Sequence, residues 1–237
     1  MEKISKRKKT ASFALPADSY ELEFWAKQAY VCGIDEVGRG CFAGPVVTSA
    51  VILYPHVSHP LLKDSKILTE KKRIEAAAWI LKNSWHAYGI VPAYEVDAIN
   101  IYEATKKAMT QAVYGLFCQS PGPWPIGLIL IDAVPLQIPF NPQGVEIVSF
   151  SYGESRSISI AAASVLAKVK RDELISRMGS QLFPGYFLQE HKGYGTPVHQ
   201  AALELKGLSL IHRTTFIKGS QNAKTSDRQT SLFCGSD

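Results

Sequence analysis

The residues with the clearest chemical potential are carboxylates at the ends of apolar runs. Asp35 and Glu36 close the run Tyr30–Ile34 and are followed at once by Val37-Gly38-Arg39-Gly40. Asp132 closes a second run, Leu128–Ile131, in the same manner. Asp172 stands apart, inside an alanine-rich, proline-free helical stretch, four residues after Lys168 and seven after Val165, so all three share one side of that helix. Gathered in one place, such acids would repel one another, and cations would be needed to keep them ionised. Oxygen donors without His or Cys favour Mg²⁺ or Mn²⁺, hard ions that retain water and bind substrate phosphates. Two such ions about 3.5–4 Å apart can activate a water and stabilise a leaving oxygen in phosphodiester cleavage. Each acid also has an ordinary reading taken singly: the polar exit of a buried strand, a turn-forming aspartate, a solvated helix face. Neighbours on a regular strand point to opposite faces, so Asp35 and Glu36 would need a local distortion, which the following glycines could supply, to share one site.

The elements that must position these acids read as α/β. A capping box of Asp18 and Glu21 opens a short helix through Gln28, and Tyr30–Ile34 is a buried strand. The glycines 38, 40 and 44 make a hairpin-like connection to a β-rich run, Val46–Tyr54. Thr69 starts a helix through Lys82 with Ile74, Ala77, Ala78 and Leu81 as its apolar face. Trp85–Val91 is a third strand, Ala93–Cys118 one long helix, Gly127–Ile131 a strand covered on both faces, and Val145–Phe150 a fifth strand. A helix spans Ser157–Met178, and another starts at Thr196-Pro197 and stops at Gly207. Residues 1–16 form a basic arm and residues 219–237 a Ser/Gln/Thr-rich tail, both expected to be disordered, around one domain over residues 17–218.

Composition narrows the class. Of the net charge of +5, four units come from Lys3, Lys6, Arg7, Lys8 and Lys9 against Glu2, so basicity outside the arm is too slight to argue for nucleic acid. Cys32, Cys41, Cys118 and Cys234 show neither CxxC pairing nor zinc-like spacing, which fits a reducing cytoplasm. No apolar run reaches membrane-spanning length.

The sequence Gly33-Ile34-Asp35-Glu36-Val37-Gly38-Arg39-Gly40, then Ala43-Gly44-Pro45-Val46-Val47, resembles the opening motif of bacterial ribonuclease HII. The likeness continues through Asp64-Ser65-Lys66, the strand ending in Asp132, the stretch Ser159–Val169 with Arg171-Asp172, His191-Lys192-Gly193-Tyr194-Gly195-Thr196, His199 and His212-Arg213. It implies a ribonuclease H-like fold: a mixed five-stranded sheet flanked by helices, with a helical C-terminal part. It implies a monomeric endoribonuclease that hydrolyses RNA in RNA–DNA hybrids and cuts 5′ of ribonucleotides embedded in duplex DNA, leaving 3′-hydroxyl and 5′-phosphate ends. Asp35, Glu36, Asp132 and Asp172 become the ligands of Mn²⁺ or Mg²⁺, two ions per site. Gly38, Arg39 and Gly40 would recognise the ribonucleotide, Tyr194 would sense its 2′-hydroxyl, and Lys66, Lys168 and Arg213 would contact phosphates. Ala133 stands where the family usually has Gly, and Tyr152-Gly153-Glu154 where it reads Lys-Gly-Asp. Arg39 and the short N-terminal part favour this type over ribonuclease HIII. Two rivals fit less well. A dinucleotide-binding enzyme needs a helix after the glycines, where this chain has Pro45 and a β-rich run. A noncatalytic nucleic-acid binder has no use for an acidic cluster facing phosphates.

Overall fold

Our computed structural model describes residues 20–62, 65–119, 122–132, 144–150, 153 and 156–218. The basic arm, the tail, Asp18, Asp64, Ala133, Tyr152 and Glu154 lie outside them, as does the side chain of Lys66.

Five strands, β1 (Tyr30–Val37), β2 (Val46–Leu53), β3 (Ser84–Val91), β4 (Ile126–Asp132) and β5 (Glu146–Phe150), form one sheet in the order β3-β2-β1-β4-β5. β1 and β2 pair antiparallel through the short glycine loop, and β2 and β3 pair antiparallel across the long helix-bearing segment between Leu53 and Ser84; β1–β4 and β4–β5 pair parallel. Central position explains why β1 and β4 read as unbroken apolar runs: both of their faces are covered. Even-numbered residues of β1 (Tyr30, Cys32, Ile34) join Ile129 and Ile131 against Met109, Ala112, Val113 and Leu116 of α4 (Ile101–Phe117). On the opposite face, Val31, Leu128 and Leu130 meet Ile160, and Val51 and Leu53 meet Ile158, Ala162, Val165 and Leu166. These last residues belong to α5 (Ile158–Gln181). That helix lies so close to β1 that a Cβ on Gly33 would stand 2.2 Å from the Ile160 nitrogen. On the α4 face, burial lifts the pKa of the Cys32 thiol to about 12, leaving it an inert core residue. Among the described residues no helix is long and apolar enough to cross a membrane.

Three local expectations are corrected. The long helix over Ala93–Cys118 is two helices, α3 (Ala93–Ile99) and α4, because Asn100 takes φ 67° and its side chain caps α4 by accepting from Tyr102 N and Glu103 N. Helix α2 (Glu70–Lys82) starts at Thr69 as expected but buries Ala76, Ala77 and Ile80, leaving Ile74 and Leu81 exposed. Glu21, on α1 (Tyr20–Ala26), is no local cap: it is buried, and its Oε1 accepts from Ser157 Oγ (2.5 Å) and Ser159 N (2.9 Å), capping the distant start of α5. A short helix that the sequence did not announce, α6 (Leu188–His191), precedes α7 (Pro197–Lys206). Ala43, Ile175, Tyr186, Leu188, Ala202 and Ile211 form the core of this C-terminal part against the end of α5.

Candidate active site

Because β1 and β4 are parallel neighbours with Ile34 opposite Ile131, Asp35 and Asp132 emerge side by side at one end of the sheet. Alternation puts both on the α5 face. Glu36 points to the other face, and the expected distortion is absent: pairing with β2 stays regular through Val37. The acids nevertheless feel one another. Asp35, 8% exposed, has its carboxyl pushed well above the ordinary range by burial first and then by the Glu36 charge; a hydrogen bond from Ser164 opposes this, and Asp132 adds to it. Burial likewise raises Glu36, against the pull of Arg39 and with a further push from Asp132. Glu36 Oε1 is 3.3 Å from Arg39 Nη1, while its buried Oε2 has no partner. Asp132 Oδ1 accepts from the backbone N–H of Gly153 at 3.0 Å, one residue before Glu154 in the chain.

Asp172 is not brought to these three. It shares the helix face of Ser164 and Lys168, but eight residues beyond Ser164 place it about 12 Å farther along α5. Its Oδ1 is paired with Lys168 Nζ at 2.9 Å. Among the described residues, no three His, Cys, Asp or Glu side chains stand ready to hold one metal ion. The donor chemistry at Asp35, Glu36 and Asp132 still suits a hard cation: two buried carboxyls pushed toward protonation and one orphaned oxygen.

The glycine loop beside the acids is built from within. Gly38 has φ +93°, and a Cβ there would meet Arg171 Nε at 2.2 Å. Arg171 is buried, donating from Nε to Pro45 O (3.0 Å), from Nη1 to Lys192 O (2.8 Å) and from Nη2 to Ala43 O (2.9 Å). Arg213, expected at a phosphate, is instead buried beneath the same loop: its guanidinium donates to Gly44 O (3.0 and 2.7 Å) and Arg39 O (2.9 Å), and burial lowers its pKa to about 10. Gly193 O accepts from Phe42 N (2.9 Å) and Ala43 N (3.1 Å), so the Tyr194 segment is pinned to the glycine loop. The Tyr194 ring, 40% exposed, has Lys168 Nζ 5.7 Å and the Arg171 guanidinium 6.0 Å from its centre. Lys168, Asp172 and Tyr194 thus form one group, and Gly38–Gly40 with Glu36 another, joined through Arg171. Arg171, Ser164 and Ser65 stand within the quoted motifs but had no role from the sequence; Ser65 Oγ is 2.8 Å from Ser164 Oγ and so extends the support of Asp35.

Gly40 differs from Gly38: it is exposed, and a Cβ there would meet nothing within 4 Å. The protein's own packing does not require a glycine there, so a close approach from outside is the physical use for one. Gly38→Ala is expected to cost more than about 1 kcal/mol through its positive φ and the collision with Arg171. Gly40→Ala is expected to stay within about 0.5 kcal/mol of the parent while weakening substrate binding. Urea midpoints and cleavage rates measured on both variants check the contrast; equal effects on stability would refute it.

A ribonuclease H2 from Pyrococcus horikoshii OT3 superposes with a TM-score of 0.63 at 20% identity, covering 78% of this chain and 93% of that one. A Bst-RNase HIII solved in complex with Mn²⁺ superposes with a TM-score of 0.59 at 19% identity, covering 85% and 71%. The fold is therefore that of the type 2 ribonucleases H. The profile of the ribonuclease HII family matches residues 32–219. A ribonuclease HII of Levilactobacillus brevis is 46% identical over 198 residues, 83% of this chain and 72% of that protein. The chain belongs to the ribonuclease HII family, and it is an endoribonuclease of the type 2 ribonuclease H class.

Proposed function

We propose that this chain hydrolyses RNA in RNA–DNA hybrids and cuts duplex DNA on the 5′ side of an embedded ribonucleotide, leaving 3′-hydroxyl and 5′-phosphate ends, as a monomer in the cytoplasm. The observation that carries the reading is the pinning of the glycine loop, with its open Gly40, to the Tyr194 segment beside the acidic strand ends. A ribose can lie against Gly40 with its 2′-hydroxyl, the group that separates RNA from DNA, toward Tyr194. Lys168, whose Nζ is 5.7 Å from the centre of that ring, would meet a phosphate beyond it.

Asp35, Glu36 and Asp132 would hold Mg²⁺ or Mn²⁺, in keeping with the Mn²⁺ in the ribonuclease HIII structure. When bound, a pair of such ions supplies an activated water and charge stabilisation at the leaving oxygen. Ser164 orients the Asp35 carboxyl, Arg39 holds one oxygen of Glu36, and Gly153 N–H fixes Asp132. Asp172 acts beside Lys168 and Tyr194 on the substrate side rather than with these three.

The test is a DNA duplex with one ribonucleotide, end-labelled, incubated with pure protein and Mg²⁺ or Mn²⁺. The expected product maps to the 5′ side of the ribonucleotide and needs the divalent ion. A cut elsewhere, or cleavage that survives a chelator, would refute the reading.

A further inference from the structure

Behind the Tyr194 segment lies a cluster of three histidines to which the reaction assigns nothing. His199 and His212 are buried, and His191 stacks on His199 with ring centres 4.3 Å apart. Their hydrogen-bond partners fix the protons. Ser209 N–H donates to His212 Nδ1 at 3.0 Å, so His212 carries its proton on Nε2. That nitrogen lies 3.0 Å from His199 Nε2, which must therefore accept. His199 then has its proton on Nδ1, 2.9 Å from the carbonyl oxygen of Tyr194, to which it donates. His191 follows the same logic: Gly193 N–H donates to its Nδ1 at 3.2 Å, and its Nε2 donates to Tyr186 O at 2.8 Å.

The outcome is a directed chain, Ser209 to His212 to His199 to Tyr194, in which each ring is neutral and each nitrogen is used. A proton added to either member of the pair would set two N–H groups against each other. The titratable groups facing the pair are His191 and Tyr186, with Arg213 next to His212 in sequence, and none brings a negative charge to welcome an imidazolium.

We propose that His199 and His212 form a positioning pair for substrate selection: as neutral rings they fix the main chain of Tyr194 and hence the ring that meets the ribonucleotide. The inference rests on Tyr194 being that contact. The Tyr194 main chain has two other ties, its N–H donating to His191 O at 3.0 Å and its carbonyl accepting also from Thr196 N at 2.8 Å, while its side chain meets Lys168, Arg171 and Cys41. Removing the His199 donor leaves the carbonyl only the tight local turn.

Burial holds His199 below the ordinary histidine value and takes His212 down to about 4. The sign follows: the loosened segment binds protons before the native one, so the anchor is intact above about pH 6.5 and is lost as pH falls from there toward 4.

Two variants separate anchoring from mere space-filling. In His199→Asn the amide nitrogen falls near the Nδ1 position and can still donate to Tyr194 O. In His199→Gln it falls near Nε2, and that donor is lost although the volume is closer to histidine. Amide hydrogen exchange over residues 192–196 and steady-state cleavage of a single-ribonucleotide duplex are read for both. For His199→Gln we expect exchange about tenfold faster and KM about tenfold higher with kcat little changed, and for His199→Asn substantial rescue of both. In the unmutated enzyme, exchange in the same segment, corrected for its intrinsic pH dependence, should accelerate between pH 6.5 and 4; this arm needs no variant to fold. Unchanged exchange in His199→Gln, equal behaviour of the two variants, or a flat pH response would overturn the pairing. Faster exchange with unchanged KM would leave the anchor standing but remove Tyr194 as the ribonucleotide contact, so the two failures are distinguishable.

Discussion

Asp35→Asn is expected to abolish cleavage and, in the presence of a chelator, to make the protein melt at a higher temperature. Both effects have one origin. Asp35 sits buried beside Glu36 and Asp132, and its negative charge is opposed by desolvation and by both neighbours. An amide of the same shape keeps the hydrogen-bonding group toward Ser164 and removes the charge, so the metal-free fold relaxes. A ligand to a hard cation is lost in the same step. Changing residues that merely orient ligands typically costs about 10–100-fold, so loss of a ligand should exceed about 100-fold. For a domain of this size each kcal/mol regained should raise Tm by roughly 2–4 °C. Activity above a tenth of the parent would remove Asp35 from the metal site, and a chelated variant melting below the parent would contradict the account of strain at the acids.

The second large effect is expected at Arg171. One guanidinium donates to three carbonyls drawn from two loops, Ala43 and Pro45 on one side and Lys192 on the other. Arg171→Ala leaves those carbonyls buried and unpaired and opens a cavity beneath Gly38. Hydrogen bonds to a charged donor contribute about 1.5–3 kcal/mol each, and with partial relaxation we expect a loss of about 4 kcal/mol. That corresponds to a Tm lower by roughly 10 °C. Arg171→Lys should recover only a minority of it, since one ammonium cannot replace a planar fork reaching in three directions. Differential scanning calorimetry decides: an alanine variant within about 2 °C of the parent would show that the two loops hold themselves together.

The contrast between Asp35 and Arg171 marks what a sequence discloses here. Strand β1 and strand β4 were legible because covering both faces demands an unbroken apolar run, and an acid closing such a run is conspicuous. The starts of α2, α5 and α7 were legible from Thr69, Ser157 and Thr196, each of which accepts a backbone N–H of its helix. Charged residues with buried destinations were not. Arg171, Arg213 and Glu21 have the composition of a wet surface, and only carbonyls and hydroxyls from distant segments make their burial tolerable. The distance of Asp172 from the strand-end acids was illegible for a related reason. Helical spacing correctly put it on the face of Lys168, but periodicity fixes direction around an axis, not distance along it. Family resemblance, rather than local chemistry, drew attention to Tyr194, whose position depends on a histidine network assembled across α6, α7 and the final turn.

The junction between Glu21 and the start of α5 bears on how this protein is born. Glu21 leaves the ribosome 136 residues ahead of Ser157, its partner. Until then its carboxylate must remain in water, so α1 cannot seat in its final place against the sheet. Strand β1, already synthesised with Asp35 and Glu36, likewise lacks β4 and α5, which arrive about a hundred or more residues later. A nascent chain therefore carries its acids through most of translation without the walls that later force them together. Nuclease competence therefore awaits the docking of β4 and α5, long after Asp35 and Glu36 have been made.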